Sequence, residues 1–323
     1  MKILVTGGAG FIGSNLVEKL LQDERVSLVR VLDNLATGSL SNLEAFLFDS
    51  RFQFLEGDIR DYSKCMEACT GIDLISHQAA LGSVPRSIAD PLTTNNVNIT
   101  GTLNIFTAAK ENKIMRVVYA ASSSTYGDHP GLPKVEDIIG NPLSPYAVTK
   151  YVNELYARVY ANLYGLELIG LRYFNIFGPR QNPNGPYAAV IPLFAEALIK
   201  NKPPVINGDG SHSRDFTFVD NAVTANVLSL FTENKEAVNQ VYNIACGHQT
   251  SLTELFDALR KSAGSDLQPV HGPDRKGDVK HSLADISKAK KLLKYSPAIS
   301  VEEGLEKTFS WYKENLKAGS SFQ

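Results

Sequence analysis

The chain has 323 residues, is 43% hydrophobic and carries a formal net charge of −2, which suits one large domain or two closely joined ones and argues against a nucleic-acid surface or a basic membrane patch. Three cysteines, Cys65, Cys69 and Cys246, give an odd count that fits no disulfide framework and points to a reducing cytoplasm, and the dispersed histidines predict no metal site. No run reaches the ~18 apolar residues of a membrane span, and Met1–Thr6 lacks a leader pattern, so neither a span nor a signal peptide is expected.

In chain order, Ile3–Val5 reads as a first strand, followed by glycines and a helix over Asn15–Gln22. Strands are then predicted at Leu28–Leu32, Phe52–Glu56, Leu74–His77, Val117–Ala120 and Glu167–Arg172, with a helical pattern at Gly101–Phe106 between the fourth and fifth. This βαβ rhythm predicts an α/β fold, a doubly wound parallel sheet with helices on both faces. Near Asn175 the rhythm changes, and residues 178–186, rich in Pro, Asn and Gly, read as an irregular loop on the substrate side. Helices at Val190–Lys200, Val219–Phe231 and Leu252–Ser262, with brief strands between them, predict a smaller mixed α/β C-terminal substrate domain. The expected division is 1–175 for the first domain, with later segments returning to it, and mainly 176–323 for the second. A last helix is expected at Glu303–Glu314, and Ala318–Gln323 is small and polar.

Gly7-Gly8-Ala9-Gly10-Phe11-Ile12-Gly13 sits between the first strand and its helix. Glycines there permit a tight turn, close backbone approach to a pyrophosphate and close helix–strand packing, and the helix N-terminus favours the negative charge. Asp33 ends the second strand about twenty residues on, where a carboxylate hydrogen-bonds ribose hydroxyls and repels an extra phosphate. The pattern therefore predicts NAD rather than NADP.

Tyr146 and Lys150 are spaced i,i+4 and share one helix face, while Ser122-Ser123-Ser124 follows the fifth strand at the same sheet edge as the glycines. A phenol with a pKa of about 10 must fall to about 7 to serve as a base, roughly 4 kcal/mol at ~1.36 kcal/mol per pH unit. A fixed ammonium four residues on supplies part of that stabilisation.

These motifs, in this order with Asp58-Ile59, His77-Gln78-Ala79-Ala80, Tyr126-Gly127, Arg172-Tyr173-Phe174-Asn175, Gly210–Phe216 and Arg275-Lys276-Gly277-Asp278, run from Met1 to about Lys294. The chain resembles the extended short-chain dehydrogenase/reductase superfamily, in its sugar-nucleotide-modifying branch, and the resemblance implies a Rossmann domain. It implies Ser122 as the catalytic hydroxyl, Tyr146 as the base and Lys150 as its support. Implied cofactor contacts are Gly7, Gly10, Phe11, Ile12, Gly13, Asp33, Asn34, Asp58, Ile59, Gln78, Ala79, Ala80, Asn98, Tyr146, Lys150 and Tyr173, with Asn98 bracing the region. Implied sugar-nucleotide contacts are Gly82, Ser83, Ser122, Ser123, Ser124, Tyr146, Asn175, Gln181, Ala189, Val190, Asn207, Arg214, Arg275, Asp278 and Ser282.

Sugar 4,6-dehydratases on this scaffold carry an Asp and a Glu just after the catalytic hydroxyl; here those places hold Ser123 and Ser124. What the resemblance leaves is NAD-dependent 4-epimerisation through a transient 4-keto sugar, with NAD regenerated each cycle. Gly82–Ser87, Ala120–Asp128 and Arg180–Gly185 are similar to bacterial UDP-N-acetylglucosamine 4-epimerases of surface-polysaccharide pathways. Ser282 stands where enzymes restricted to non-acetylated sugars carry a Tyr. UDP-GlcNAc/UDP-GalNAc is therefore the expected substrate pair, with a UDP-glucose/galactose or UDP-N-acetylglucosaminuronate 4-epimerase as the alternative. The resemblance also implies a homodimer through a four-helix bundle of roughly Asn98–Lys110 and Tyr146–Leu163. Tyr151, Leu155, Val159 and Leu163 could supply its apolar stripe or could face their own core.

Overall fold

The computed structural model of the protein describes residues 1–183, 189–273 and 280–317. Its centre is a seven-stranded parallel sheet. The strands are β1 (Lys2–Thr6), β2 (Leu28–Asp33), β3 (Phe52–Glu56), β4 (Leu74–His77), β5 (Arg116–Ser122), β6 (Glu167–Tyr173) and β7 (Gln240–Ile244). Their order is β7-β6-β5-β4-β1-β2-β3. Parallel strands covered on both faces need apolar residues pointing both ways. Ile3 and Val5 of β1 pack with Leu16, Val17 and Leu20 on one face, while Leu4 packs with Ile105 and Phe106 on the other. The alternation repeats in β5, where Val118 joins the first layer and Val117 and Tyr119 the second.

The helices of seven or more residues are α1 (Phe11–Leu21), α2 (Tyr62–Cys69), α3 (Gly101–Glu111), α4 (Pro145–Tyr164), α5 (Val190–Ile199), α6 (Val219–Phe231), α7 (Leu252–Ala263), α8 (Ser287–Leu293) and α9 (Val301–Lys317). Cys65 and Cys69 on α2 are buried core thiols whose pKa burial pushes up to about 12. Helix α4 has clear local causes. Ser144 accepts from Ala147 N, Pro145 occupies the first turn, and Gly165 takes the left-handed conformation past the end. Ahead of α3, a helical run from Pro91 passes through a π-helical turn at Asn96–Thr100. Such turns often mark functional positions, and this one contains Asn98, which is fully buried.

The chain leaves the sheet after β6 and builds a smaller region from short pairs. Ile176–Phe177 pairs with Thr217–Phe218, Ser213–Arg214 with Thr250–Ser251, and Val205–Asn207 with Val270–Gly272. It then returns: α6 lies on the sheet and β7 adds to β6 as the edge strand. The strand order reverses beside β1, and a crevice opens there at the carboxyl ends of the strands. Among the described residues, no helix is long and apolar enough to cross a membrane.

Candidate active site

A cleft of about 560 Å³ runs along that sheet edge. The glycine turn lies at its middle. Gly7 has φ +69°, and a Cβ there would meet the Ala79 backbone at 2.7 Å; one at Gly13 would meet Gly7 O at 2.1 Å. Gly10 caps α1 without any side-chain acceptor, so the first-turn N–H groups are left for a ligand. Asp33, at the end of β2, accepts from Ala9 N at 2.9 Å and Leu35 N at 2.8 Å, and its burial raises its pKa. Asn34 donates to Asp58 at 2.7 Å, and the Arg60 guanidinium holds Asp58 down at about 2. An uncapped helix start beside a carboxylate at the end of β2 fits a dinucleotide.

Phe11, Ile12, Ile59, Gln78, Ala79, Ala80 and Gly82 also line this cleft. Gln78 is fixed from behind. It donates to Ser76 Oγ and Asn226 Oδ1, both at 2.9 Å, and accepts from Tyr173 Oη at 3.1 Å. Asn226 Nδ2 donates to Tyr173 Oη at 2.7 Å, completing a ring of bonds from α6.

At the other end, β5 delivers Ser122 and α4 delivers Tyr146 and Lys150 into the same cleft. Tyr146 shares the cleft with Ser122; burial raises its pKa, and Ser122 offsets a smaller part of that rise. Lys150 Nζ donates to Ala120 O at 2.8 Å and lies 5.9 Å from the centre of the Tyr146 ring. Burial lowers the pKa of Lys150 to about 8.

Behind this end lies a buried polar chain. Thr102 Oγ1 donates to Asn98 O at 2.6 Å and so accepts from His77 Nε2 at 3.0 Å. His77 Nδ1 is then left to accept from Thr6 Oγ1 at 2.6 Å. Burial, with Lys150 nearby, holds the His77 pKa at about 3, so the ring is neutral. Asn98 does not line the cleft. Its amide accepts from Leu81 N at 2.8 Å and donates to Thr149 Oγ1 at 3.1 Å, tying the β4 loop to α4.

A second cleft of about 290 Å³ shares Asn175, Ile176 and Gln181 with the first. Ala189, Val190, Asn207 and Arg214 line it. Asn175 has φ +39° and Arg180 φ +68°, so the loop between the clefts is strained. It is tied down from outside: Arg180 pairs with Glu18 at 2.7 Å, Asn15 Nδ2 donates to Pro179 O at 3.1 Å, and Tyr312 Oη donates to Gln181 O. Gln181 Oε1 is buried with no hydrogen-bond partner among the described residues.

The remaining expected contacts stand elsewhere. Ser83 caps the helix Val84–Ala89, accepting from Arg86 N. Ser123 and Ser124 form a 3-10 turn beyond Ser122 and line neither cleft. Ser282 is half-buried, its Oγ 3.4 Å from both Asn175 Nδ2 and Asp215 N. Asp215 beneath it accepts from Cys246 N, Gly247 N and Ala284 N, and burial pushes its pKa up to about 6. Arg275 and Asp278 lie outside the described residues. Among the described residues, no cluster of His, Cys, Asp and Glu could hold a metal ion. Sequence reading missed Thr37, Thr93 and Val97 in the first cleft and Phe194, His212 and Phe216 in the second. Only His212 and Phe216 carried a signal, as parts of the Gly210–Phe216 stretch.

Comparison with known proteins follows the same lines. A model of the NAD dependent epimerase/dehydratase family matches residues 3–245. The chain is 37% identical to a UDP-glucose 4-epimerase of Mycolicibacterium smegmatis, over 97% of this chain and 99% of that protein. Its structure is similar to that of the UDP-N-acetylglucosamine 4-epimerase from Methanobrevibacter ruminantium M1 in complex with UDP-N-acetylmuramic acid. That TM-score is 0.91 at 39% identity, covering 97% of this chain and 98% of the other. It is also similar to the UDP-glucuronic acid 4-epimerase from Bacillus cereus in complex with UDP-glucuronic acid and NAD. There the TM-score is 0.89 at 34% identity, covering 98% of this chain and 100% of the other.

Proposed function

The chain belongs to the NAD dependent epimerase/dehydratase family, and on that premise we propose that it interconverts the 4-epimers of UDP-N-acetylhexosamines, UDP-GlcNAc and UDP-GalNAc. At the coarser level it is an NAD-using UDP-sugar 4-epimerase. One observation carries epimerisation over dehydration. Among the described residues lining the two clefts, the carboxylates are Asp33 and Asp58, both at the adenosine end. Eliminating water from the sugar requires an acid and a base beside the catalytic hydroxyl, and Ser123 and Ser124 supply neither.

In this reading the glycine turn and Phe11–Gly13 hold the pyrophosphate, Asp33 the ribose, and Asp58 and Ile59 the adenine. NAD, when bound, supplies the hydride acceptor and donor for carbon 4 of the sugar. Tyr146 takes the proton of the 4-hydroxyl and later returns it. Lys150 favours its phenolate, and Ser122 hydrogen-bonds the same oxygen. Asn175, Gln181, Asn207 and Arg214 hold the sugar nucleotide, together with Arg275 and Asp278. Residues 1–175 with α6 and β7 form the cofactor domain, and most of 176–323 the sugar-nucleotide domain. Ser282, small and beside Asn175, supports room for an acetamido group. Two copies pair through the exposed face of α4.

The deciding experiment incubates the purified protein separately with UDP-GlcNAc, UDP-Glc and UDP-GlcNAcA and resolves the 4-epimers by NMR, without added NAD. We expect UDP-GalNAc to form fastest. Turnover of UDP-Glc or the uronate alone would overturn the N-acetylhexosamine reading, and stoichiometric NAD reduction would overturn epimerisation itself.

A further inference from the structure

We propose that Ser124 is a positioning residue that locks the Ser122 hydroxyl as a one-way hydrogen-bond donor into the cleft that holds Tyr146. The proposal rests on the reading of Ser122 and Tyr146 as the reacting pair. A serine hydroxyl has one proton to donate and two lone pairs to accept with. Ser122 Oγ accepts from Ser124 Oγ at 2.9 Å and from Ser124 N at 3.2 Å. Both lone pairs are therefore engaged, and both donors come from one residue. The Ser122 proton is then left to donate into the cleft that Tyr146 also lines. Such a donor favours the phenolate, the form in which Tyr146 can take a proton.

The turn that carries Ser124 is itself held. Gly127 N donates to Ser124 O at 3.1 Å, and the buried Tyr126 Oη donates to Asn243 Oδ1 at 2.6 Å. These bonds hold the Ser124 backbone beside Ser122, on a turn anchored to β7. Its side chain points along this turn, and the residue lines neither cleft. In the dehydratases the sequence resembles, this place carries a carboxylate; here the serine proton is spent on the neighbouring hydroxyl.

The test compares Ser124→Ala and Ser124→Thr with the wild type on whichever UDP-sugar the wild type turns over. Losing one hydrogen bond that orients a reacting group should lower kcat about tenfold in Ser124→Ala, with KM within about twofold. Ser124→Thr, which keeps the hydroxyl, should recover most of the rate. An unchanged kcat, a rise in KM alone (which would make Ser124 a sugar contact), or no recovery in a folded Ser124→Thr would each overturn the proposal. A high-resolution structure of Ser124→Ala with NAD gives a readout free of turnover. Ser122 should occupy more than one rotamer, and a single unchanged rotamer would overturn the lock. A wild type inactive on every UDP-sugar would remove the epimerase reading, and the rotamer measurement would still decide the lock.

Discussion

At the scale of single residues, the proposed chemistry concentrates in three side chains, Ser122, Tyr146 and Lys150, which β5 and α4 bring to one cleft. Tyr146→Phe removes the proton carrier but keeps the ring, so NAD should remain bound while turnover falls at least ~100-fold, the lower range for lost acid–base catalysis. Near-normal turnover would refute Tyr146 as the base. Ser282 poses a question of size. Replacing it with Tyr puts a ring beside Asn175, where the proposed acetamido group needs space. We expect kcat/KM for UDP-GlcNAc to fall at least ~10-fold, about 1.4 kcal/mol, while UDP-Glc is spared. Equal losses for both sugars would point to a displaced nucleotide site, and no loss would show that Ser282 does not face the sugar. That the glycine turn, Asp33, Tyr146 and Lys150 line one cleft was legible in the sequence from residue types at fixed spacing, whereas Ser122 was singled out among three serines by the resemblance alone. Thr93, Val97 and Phe194 were not, because an apolar lining position accepts many residue types. Nor was the bond from Ser124 to Ser122, since three serines in a row say nothing about which hydroxyl faces which.

At the scale of elements, α4 does two jobs on two faces. Lys150, Asn153 and Glu154 turn inward, where Glu154 grips Arg172 of β6 with bonds of 2.8 and 2.7 Å. The opposite face leaves Leu155 41%, Val159 46% and Leu163 69% exposed, so this part of the stripe does not face its own core. Tyr151 is half-buried. Covering such half-exposed side chains contributes about 1 kcal/mol each, and the proposed occupant is a second copy. Light scattering at micromolar concentration should give a dimer for the wild type and a monomer for the Leu155→Glu, Val159→Glu double variant, with the fold unchanged by circular dichroism. A wild-type monomer would refute the pairing. Strands β1 to β6 could be read in advance because each is a short run rich in apolar residues and closed by a turn or a polar end. The π-helical turn at Asn96–Thr100 had no such mark, because its extra residue follows from the tertiary bonds of Asn98. The sequence of β7, Gln-Val-Tyr-Asn-Ile, identified no partner, since pairing with β6 is a long-range choice.

At the scale of the whole molecule, the two clefts are joined by one strained loop. The helix whose start is open to the cofactor also carries Asn15 and Glu18, which hold Pro179 and Arg180, while Tyr312 of α9 holds Gln181. Gln181 is thus placed at the junction by elements from both ends of the chain. The same long reach governs β7. The cofactor sheet lacks its last strand until the substrate-side segments have been made. Roughly 70 residues separate Tyr173 from Gln240, and a ribosome adding about 5–20 residues per second needs several seconds to make them. For that interval the hydrogen-bonding edge of β6 is bare, and an unpaired edge is a template for association with other chains. The nascent protein therefore passes through a stage when crowding on a polysome is most hazardous, and the stage closes only when β7 emerges and docks.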